Sequence, residues 1–401
     1  MELIATTDAL AAFVAECRSA PYVAIDTEFM RERTYYAQLC LVQLARPGKG
    51  PETAVLVDTL AEGLSLEPLY ELFRDPNVVK VFHAARQDLE IFATTAGVLP
   101  RPFFDTQVAA MVCGYGDQVG YETLARQIAR AAIDKSSRFS DWARRPLSEA
   151  QKEYALADVT HLRRIYETLA KRLAETSRAG WVEEEIATLV DPETYRVDPE
   201  TAWTRLKTRS TAPKFLAALR ELARFREEAA QGRNVPRSRI LKDDALLELA
   251  ANRPRNAEDL GKSRLLLREA RRGEIADGIL AAVAAAEALP ASELPRVPDA
   301  PSRKPGAEAL ADLLRVLLKS QCDAEGVAQR LVASSADLDA IASEEAPDVP
   351  AMRGWRYEIF GRDALRLKRG EIALSAAGAR VRVVAVASGV AANARRQTPA
   401  G

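Results

Sequence analysis

The stretch YVAIDTEF, residues 22–29, decides the fold of the first part of the chain. Its β-branched and aromatic residues predict a strand, and similar runs follow at residues 38–45 (QLCLVQLA), 54–58 (AVLVD) and 78–82 (VVKVF). Helical stretches are predicted to begin near Ala84 and Thr106. Strands alternating with helices over about the first 170 residues indicate an α/β domain.

The remainder of the chain has a different composition. After Trp181, alanine, leucine, arginine and glutamate dominate, and apolar residues recur at helical spacing from Phe215 to Phe225. The proline-rich stretch at residues 289–306 predicts a linker. Beyond it we expect further helices and a short terminal hairpin around Gly378. A length of 401 residues agrees with two or three domains.

Charge and cysteine usage limit the class of protein. The 56 lysines and arginines almost cancel the 57 aspartates and glutamates, so a nucleic acid would have to be met by a local basic surface. The four cysteines are widely separated, which is typical of reduced intracellular proteins. No basic leader precedes a long apolar run, so we expect a cytoplasmic protein without a membrane segment.

Two familiar kinds of chemistry are disfavoured. Only His83 and His161 are available, which leaves little scope for histidine-based zinc sites or histidine-driven nucleophiles. The stretch from Gly261 to Ser263 ends like a phosphate-binding P-loop, but Asn256 stands where that motif needs glycine. Carboxylate chemistry is therefore the stronger hypothesis.

Three sets of residues carry that hypothesis. Asp26 and Glu28 lie two apart on a strand, so both carboxylates project from one face, and burying them together is costly unless a cation joins them. Asp88 follows where a β-rich run passes into a helix. Tyr154 and Asp158 lie four apart on a helix and share a face. Taken alone, each set is more often purely structural than catalytic.

In combination and in this order, the DTEF, HxxxxD and YxxxD patterns resemble the DEDD superfamily of 3′→5′ exonucleases in its tyrosine-bearing branch. The surrounding segments resemble the ribonuclease D family. The stretches that carry this resemblance are residues 26–45, 83–92, 103–116 and 140–162. It implies a ribonuclease H-like α/β exonuclease domain, a mixed sheet flanked by helices, over residues 1–195.

The resemblance also implies the site. Asp26, Glu28, Asp88 and Asp158 would bind two divalent metal ions, Mg²⁺ or Mn²⁺, and Tyr154 would orient the attacking water. The histidine-bearing branch would need histidine at position 153, where this chain has glutamate. The implied reaction releases nucleoside 5′-monophosphates from RNA 3′ ends, with tRNA precursors as the implied partners of a monomeric enzyme.

The helical part resembles the HRDC module, a small bundle linked with nucleic-acid binding, over residues 204–289. Residues 214–260 carry this likeness, and residues 306–388 resemble a second, divergent HRDC-like module anchored by GWRYEIFG at 354–361. Residues 290–305 would be a linker and residues 389–401 a tail. The candidates for RNA phosphate contacts are Arg233, Arg237, Arg239 and Lys242. Solvated side chains on an exposed turn are the equal alternative.

Several polar residues near these motifs receive other roles. Asp105 precedes a helical run and is predicted to cap it. His83 is predicted to be packed or hydrogen-bonded, and His161 is predicted to be structural and not part of the site. The segment from Lys135 to Trp142, flanked by Asp134, is compatible with RNA contact or with a plain surface loop.

Two alternatives in function stay open at the level of sequence. DEDD sites also serve exonucleases that act on DNA, and only contacts to the 2′-hydroxyl separate the two substrates. A catalytically inactive nucleic-acid-binding adaptor is the non-enzymatic alternative. The presence of all four acids and the tyrosine argues against the adaptor.

Overall fold

The computed structural model describes residues 3–134, 136–296 and 306–386. Most of the predicted linker and the whole predicted tail lie outside these residues. Within them, the first part of the chain forms one six-stranded sheet. Its strands are β1 (Leu3–Ile4), β2 (Tyr22–Met30), β3 (Gln38–Ala45), β4 (Ala54–Val57), β5 (Val79–Phe82) and β6 (Phe103–Asp105).

The sheet is mixed, in the order β1-β4-β3-β2-β5-β6. The strand β3 runs antiparallel to both of its neighbours, β2 and β4, whereas β2, β5 and β6 are mutually parallel. The four strand-like runs predicted from the sequence are confirmed. The sequence did not indicate β1 and β6, which are too short to show a period.

Helices flank this sheet, as predicted. They are α1 (Thr7–Cys17), α2 (Glu67–Arg74), α3 (Arg86–Ala96), α4 (Thr106–Val112), α5 (Tyr121–Leu124), α6 (Glu149–Thr176) and α7 (Ala179–Ala187). The long helix α6 crosses β2, β3 and β4. It begins with a capping box, in which the Ser148 hydroxyl accepts from the Gln151 backbone and the Gln151 side chain accepts from the Ser148 backbone. This cap fixes where α6 starts, and so where its first turns lie over the sheet.

The middle of the chain forms a helical bundle with its own apolar core between residues 202 and 294. Its helices are α8 (Pro213–Arg233), α9 (Arg237–Ile240), α10 (Asp243–Asn252), α11 (Ala257–Lys262) and α12 (Gly273–Ala288). The helix α8 ends on Asn234 in the left-handed conformation. It contains the residues from Phe215 to Phe225 whose spacing predicted a helix.

The last described part contains α13 (Ala307–Glu325), α14 (Gln329–Val332), α15 (Ser335–Ser343), α16 (Gly354–Arg356) and α17 (Arg362–Lys368). A hairpin of β7 (Ile372–Ala377) and β8 (Arg380–Ala385) follows, turning at Gly378 with φ of +63° as predicted. Apolar residues from 307–372 share one core with those of the sheet domain. The predicted domain boundaries themselves stay predictions.

Two contacts show how closely the last part packs on the first. The indole rings of Trp181 and Trp355 stack with centroids 4.4 Å apart, and Arg356 forms ion pairs with Glu184 and Glu185. No helix among the described residues is both long and apolar enough to cross a membrane.

Candidate active site

The strand β2 brings two carboxylates to one face at the centre of the sheet. Asp26 and Glu28 alternate with Thr27, and the helix α6 supplies Asp158 from above this face. Carboxylate oxygens of Asp26, Glu28 and Asp158 all lie within 4.8 Å of one another. Residues 130 positions apart in sequence therefore meet as one cluster of hard oxygen donors.

Asp88 is the fourth acid, and it lies buried in the first turn of α3. The Thr27 hydroxyl, between the two carboxylates of β2, donates a hydrogen bond to the Asp88 carboxylate. This bond links β2 directly to α3. The negative charge of Asp88 also contributes to raising the pKa of both Asp26 and Glu28, so the four acids form one electrostatic group.

The turn that leads into α3 is held by Asp105 at the end of β6. One oxygen of its carboxylate accepts from the backbone N–H of Ala84 at 3.1 Å, and the other accepts from Ala85 at 3.0 Å. The first oxygen also accepts from Gln107 at 2.7 Å and Val108 at 3.4 Å, which caps α4. The prediction of Asp105 as a helix cap is confirmed, and the same carboxylate additionally positions the helix of Asp88.

Tyr154 lies one turn before Asp158 on α6 and faces the same cluster. Its ring centroid is 6.1 Å from that of the buried Trp142. Burial raises the pKa of the Tyr154 phenol well above its ordinary value, and the charges of Asp158, Glu28 and Asp26 raise it further. The phenol therefore stays protonated at neutral pH and can serve as a hydrogen-bond donor but not as a base.

The carboxylates have perturbed pKa values for one shared reason. Burial, and then the charges of Asp158, Asp88 and Glu28, raise the pKa of Asp26 well above its usual range. Burial, and then Asp158 and Asp88, raise the pKa of Glu28 to about 9, against an opposing effect of Arg138. Burial raises the pKa values of Asp88 and Asp158 to about 7. Such acids cannot all be ionised together unless cations neutralise them, so the donor set fits divalent metal ions.

The cluster lies in an open cleft of about 980 Å³. One wall comes from the segment after β2, including Arg31 and Arg33, and another from Arg138, Phe139 and Asp141. The Arg138 side chain is close enough to the carboxylates to lower the pKa of Glu28 and of Asp158. The cleft thus combines an acidic floor with cationic side chains on its walls.

The remaining polar candidates lie in different surroundings. The Nδ1 atom of His83 is 3.0 Å from the hydroxyl of Thr106, which confirms the prediction of a hydrogen-bonded histidine. His161 is not among the residues that line the cleft. Asp141 does line it, whereas Asp134 accepts from the backbone of Ser136 in the following turn.

The four basic residues proposed for RNA contact occupy different environments. Arg237 pairs with the buried Glu227, at 2.5 Å, and lies over the ring of Tyr35 with its Cζ atom 4.8 Å from the centroid. Arg233 pairs with Glu274 at 2.6 Å. Arg239 is exposed on α9, and Lys242 is exposed directly before α10. Arg237 therefore has a structural role in the contact between the bundle and the sheet domain.

The sequence did not single out two residues beside the site. Gln43 on β3 is directly opposite Asp26, is fully buried, and has neither side-chain polar atom paired with another described residue. Tyr35 follows the cleft wall and contacts the helical bundle. Gln43 could have been noticed in the sequence, because it is a polar residue inside the apolar run 38–45. Nothing in the sequence around Tyr35 indicated its contacts, because its partners are almost 200 residues away.

The fold and the site together define a class, the 3′→5′ exonucleases with a carboxylate metal site. A family model described as a 3′-5′ exonuclease matches residues 1–174, and the HRDC domain model matches residues 215–283.

Comparison with whole proteins is more specific. Ribonuclease D of Jannaschia sp. is 62% identical over 96% of this chain and 99% of that protein, and ribonuclease D of Granulibacter bethesdensis is 51% identical over 95% and 96%. The crystal structure of Escherichia coli RNase D, an exoribonuclease involved in structured RNA processing, matches with a TM-score of 0.78. It is 29% identical, and the match covers 92% of this chain and 98% of that chain. The chain belongs to the ribonuclease D family.

Proposed function

We propose that this chain is a 3′→5′ exoribonuclease that releases nucleoside 5′-monophosphates from RNA 3′ ends with two divalent ions. Asp26, Glu28, Asp88 and Asp158 would hold the ions, and Tyr154 would orient the attacking water. The observation that carries this proposal is the meeting of three carboxylates within 4.8 Å on the floor of an open cleft. Membership of the ribonuclease D family supports RNA as the substrate.

The chemistry divides between the ions and the protein. Bound Mg²⁺ or Mn²⁺ would supply a water of lowered pKa and would stabilise the departing 3′-oxygen. Asp26 and Glu28, fixed by the pleat of β2, and Asp158, fixed by α6, provide oxygens from two directions. The protonated Tyr154 hydroxyl would donate to or hold the water near Asp158. The Thr27 hydroxyl donates to the Asp88 carboxylate and so restrains its position relative to β2.

The proposed setting follows from weaker observations. The relative from Escherichia coli acts in structured RNA processing, which supports 3′-extended precursors such as tRNA as substrates. The four cysteines are buried free thiols, in keeping with a reducing cytoplasm. We propose a monomer, in which a single chain supplies all of the proposed catalytic residues.

Product analysis on a 3′-extended RNA tests the reaction. Wild type with Mg²⁺ or Mn²⁺ is expected to release nucleoside 5′-monophosphates one at a time. Asp26→Asn should abolish release while RNA binding and folding persist, since it removes a metal-binding oxygen and little packing. Tyr154→Phe should lower kcat by about 10²-fold with KM little changed, because it loses only the orientation of the water.

A matched DNA oligomer separates the two substrate classes. Faster release from DNA than from RNA of the same sequence would overturn the proposed substrate. If wild type and Asp26→Asn both released nothing with either metal, the chain would be a binding adaptor.

The proposed RNA contacts of the helical bundle need a separate test. Replacing both Arg239 and Lys242 by alanine is expected to weaken RNA binding for all sequences alike and to reduce the salt dependence of log K by about two. The matched control is Arg255→Ala with Lys262→Ala, which removes two exposed cations elsewhere on the same bundle. If the two double variants showed the same dependence of log K on salt concentration, Arg239 and Lys242 would not be RNA contacts.

A further inference from the structure

Phe139 is the most exposed large hydrophobic side chain in the described ranges, with 92% of its surface accessible. Leu265 in the helical bundle follows at 52%. A ring of this size ordinarily stabilises a protein by being buried, and aromatic side chains displayed to water are enriched where another molecule covers them. Folding alone does not account for the position of Phe139.

The turn that carries Phe139 is firmly anchored on both sides. On one side, Ser137 is buried two residues before Phe139. On the other, Trp142 is buried in a cluster with Cys40. The Arg145 guanidinium donates to the Trp142 carbonyl at 2.7 Å and to the Cys40 carbonyl at 2.8 Å, and it pairs with Asp58 at 2.6 Å. The exposed ring is therefore presented from a preorganised support.

The ring also faces the catalytic cleft. Phe139 and Arg138 both line it, and the Cζ atom of Arg138 is 5.3 Å from the centroid of the Phe139 ring. Three residues further on, the Trp142 ring approaches Tyr154. Because three residues of chain span at most about 11 Å, the backbone of Phe139 lies within that distance of Trp142, and both residues line the cleft that holds the carboxylates.

We propose that Phe139 stacks on a base of the RNA strand as its 3′ end enters the cleft, with Arg138 placing positive charge beside the ring and the phosphates. This inference rests on the proposed exoribonuclease function. Every base has a π-face, so stacking tolerates any sequence, as required of a site that meets each nucleotide in turn. The flanking guanidinium adds attraction to the backbone without reading bases.

Variants at position 139 test the contact. Phe139→Ala is expected to raise KM for single-stranded RNA about 5- to 100-fold with kcat little changed, the fold-change of losing one stacked base. Phe139→Trp should keep the wild-type KM, and Phe139→Leu should lose most of the contact despite its apolar side chain. Leu265→Ala is the matched control for an exposed apolar residue and should behave as wild type.

An abasic scan along the last nucleotides identifies the base. Removing the stacked base should raise KM for wild type but not further for Phe139→Ala, because both changes delete the same contact. The inference would be overturned if the effects of base removal and of Phe139→Ala on KM were additive at every nucleotide position. An unchanged KM for Phe139→Ala would also overturn it.

Binding separates this inference from the proposed activity. In an Asp26→Asn background, RNA with 2-aminopurine at the stacked position should lose fluorescence on binding, and Phe139→Ala should reduce that loss. If wild type cleaved no RNA but the quenching depended on Phe139, the stacking site would stand and the exonuclease proposal would fail. Cleavage with no quenching that depends on Phe139 would reject the stacking site alone.

Discussion

The Tyr35 phenol donates a hydrogen bond to the Glu227 carboxylate, and this contact joins the wall of the cleft to the helical bundle. Glu227 is only 1% exposed, and both of its carboxylate oxygens also accept from the Arg237 guanidinium. The backbone N–H groups of Tyr35 and Tyr36 donate to Asn234 at 3.2 and 3.1 Å. The segment of residues 31–36, which contributes Arg31 and Arg33 to the cleft, thus depends on the bundle for its conformation.

Removing the Asn234 side chain should loosen that segment. Asn234→Gly keeps the left-handed helix end but deletes the acceptor of two backbone N–H groups. We expect faster hydrogen exchange at Tyr35 and Tyr36 and a higher KM for RNA. Arg253→Gly, at the left-handed end of α10, is the control and should leave both unchanged. Unchanged exchange in Asn234→Gly would show that the segment holds its shape without the bundle.

Stability should depend on pH and on metal in a linked way. Acids whose folded pKa lies above the unfolded value of about 4 bind protons preferentially in the folded state. The stability that this proton binding contributes is fully present below the unfolded pKa. It is lost as pH rises through the folded pKa, which is about 7 for Asp88 and Asp158 and about 9 for Glu28. Metal-free protein should therefore lose roughly 3–10 °C of Tm between pH 5.5 and 8.5.

Mg²⁺ should reverse this loss, because it binds the ionised carboxylates and so stabilises the folded state most at high pH. Differential scanning calorimetry with Mg²⁺ and with a chelator measures the effect. Asp26→Asn removes one of the like charges, so its metal-free Tm should fall less with pH. If Tm changed with pH by the same amount with and without Mg²⁺, the predicted coupling between metal binding and carboxylate ionisation would be wrong.

Asp105 should act on metal binding through the helix that carries Asp88. Asp105→Asn leaves one acceptor oxygen and turns an amide donor toward the backbone N–H of Ala84 or Ala85. We expect a loss of about 1–3 kcal/mol in the free energy of unfolding and a higher Mg²⁺ concentration for half-maximal activity. Asp191→Asn, at an exposed turn where Asp191 accepts from Glu193, is the control. Reduced stability with an unchanged Mg²⁺ requirement would limit Asp105 to a structural role.

Arg356 should hold the last helical part on the sheet domain. Arg356→Ala leaves Glu184 and Glu185 without their shared cation and the Leu331 carbonyl without its donor at 2.7 Å. We expect a loss of about 2–4 kcal/mol, reduced by the exposure of Glu184, and faster proteolysis within residues 307–372. Arg353→Ala removes an exposed pair with Asp348 and should change neither. Equal proteolysis of the two variants would mean that apolar packing alone docks this part.

Local pattern explains what could be predicted. The four strand-like runs, the helical spacing from Phe215 to Phe225 and the cap at Asp105 all depend on residues within a few positions of each other. The short strands β1 and β6 escaped prediction because two or three residues form a strand only when a neighbour is already in place. The contact of Tyr35 with Glu227 escaped prediction because 192 positions separate the two residues.

The sequence by itself determined the two halves of the proposed site. The two-residue period of a strand places Asp26 and Glu28 on one face, and the turn of a helix places Tyr154 and Asp158 on another. Only the tertiary structure decided that these faces meet, because the packing of α6 across β2 sums many apolar contacts between distant parts of the chain. The same packing raises the carboxylate pKa values, since burial and like charges exist only once the halves have come together.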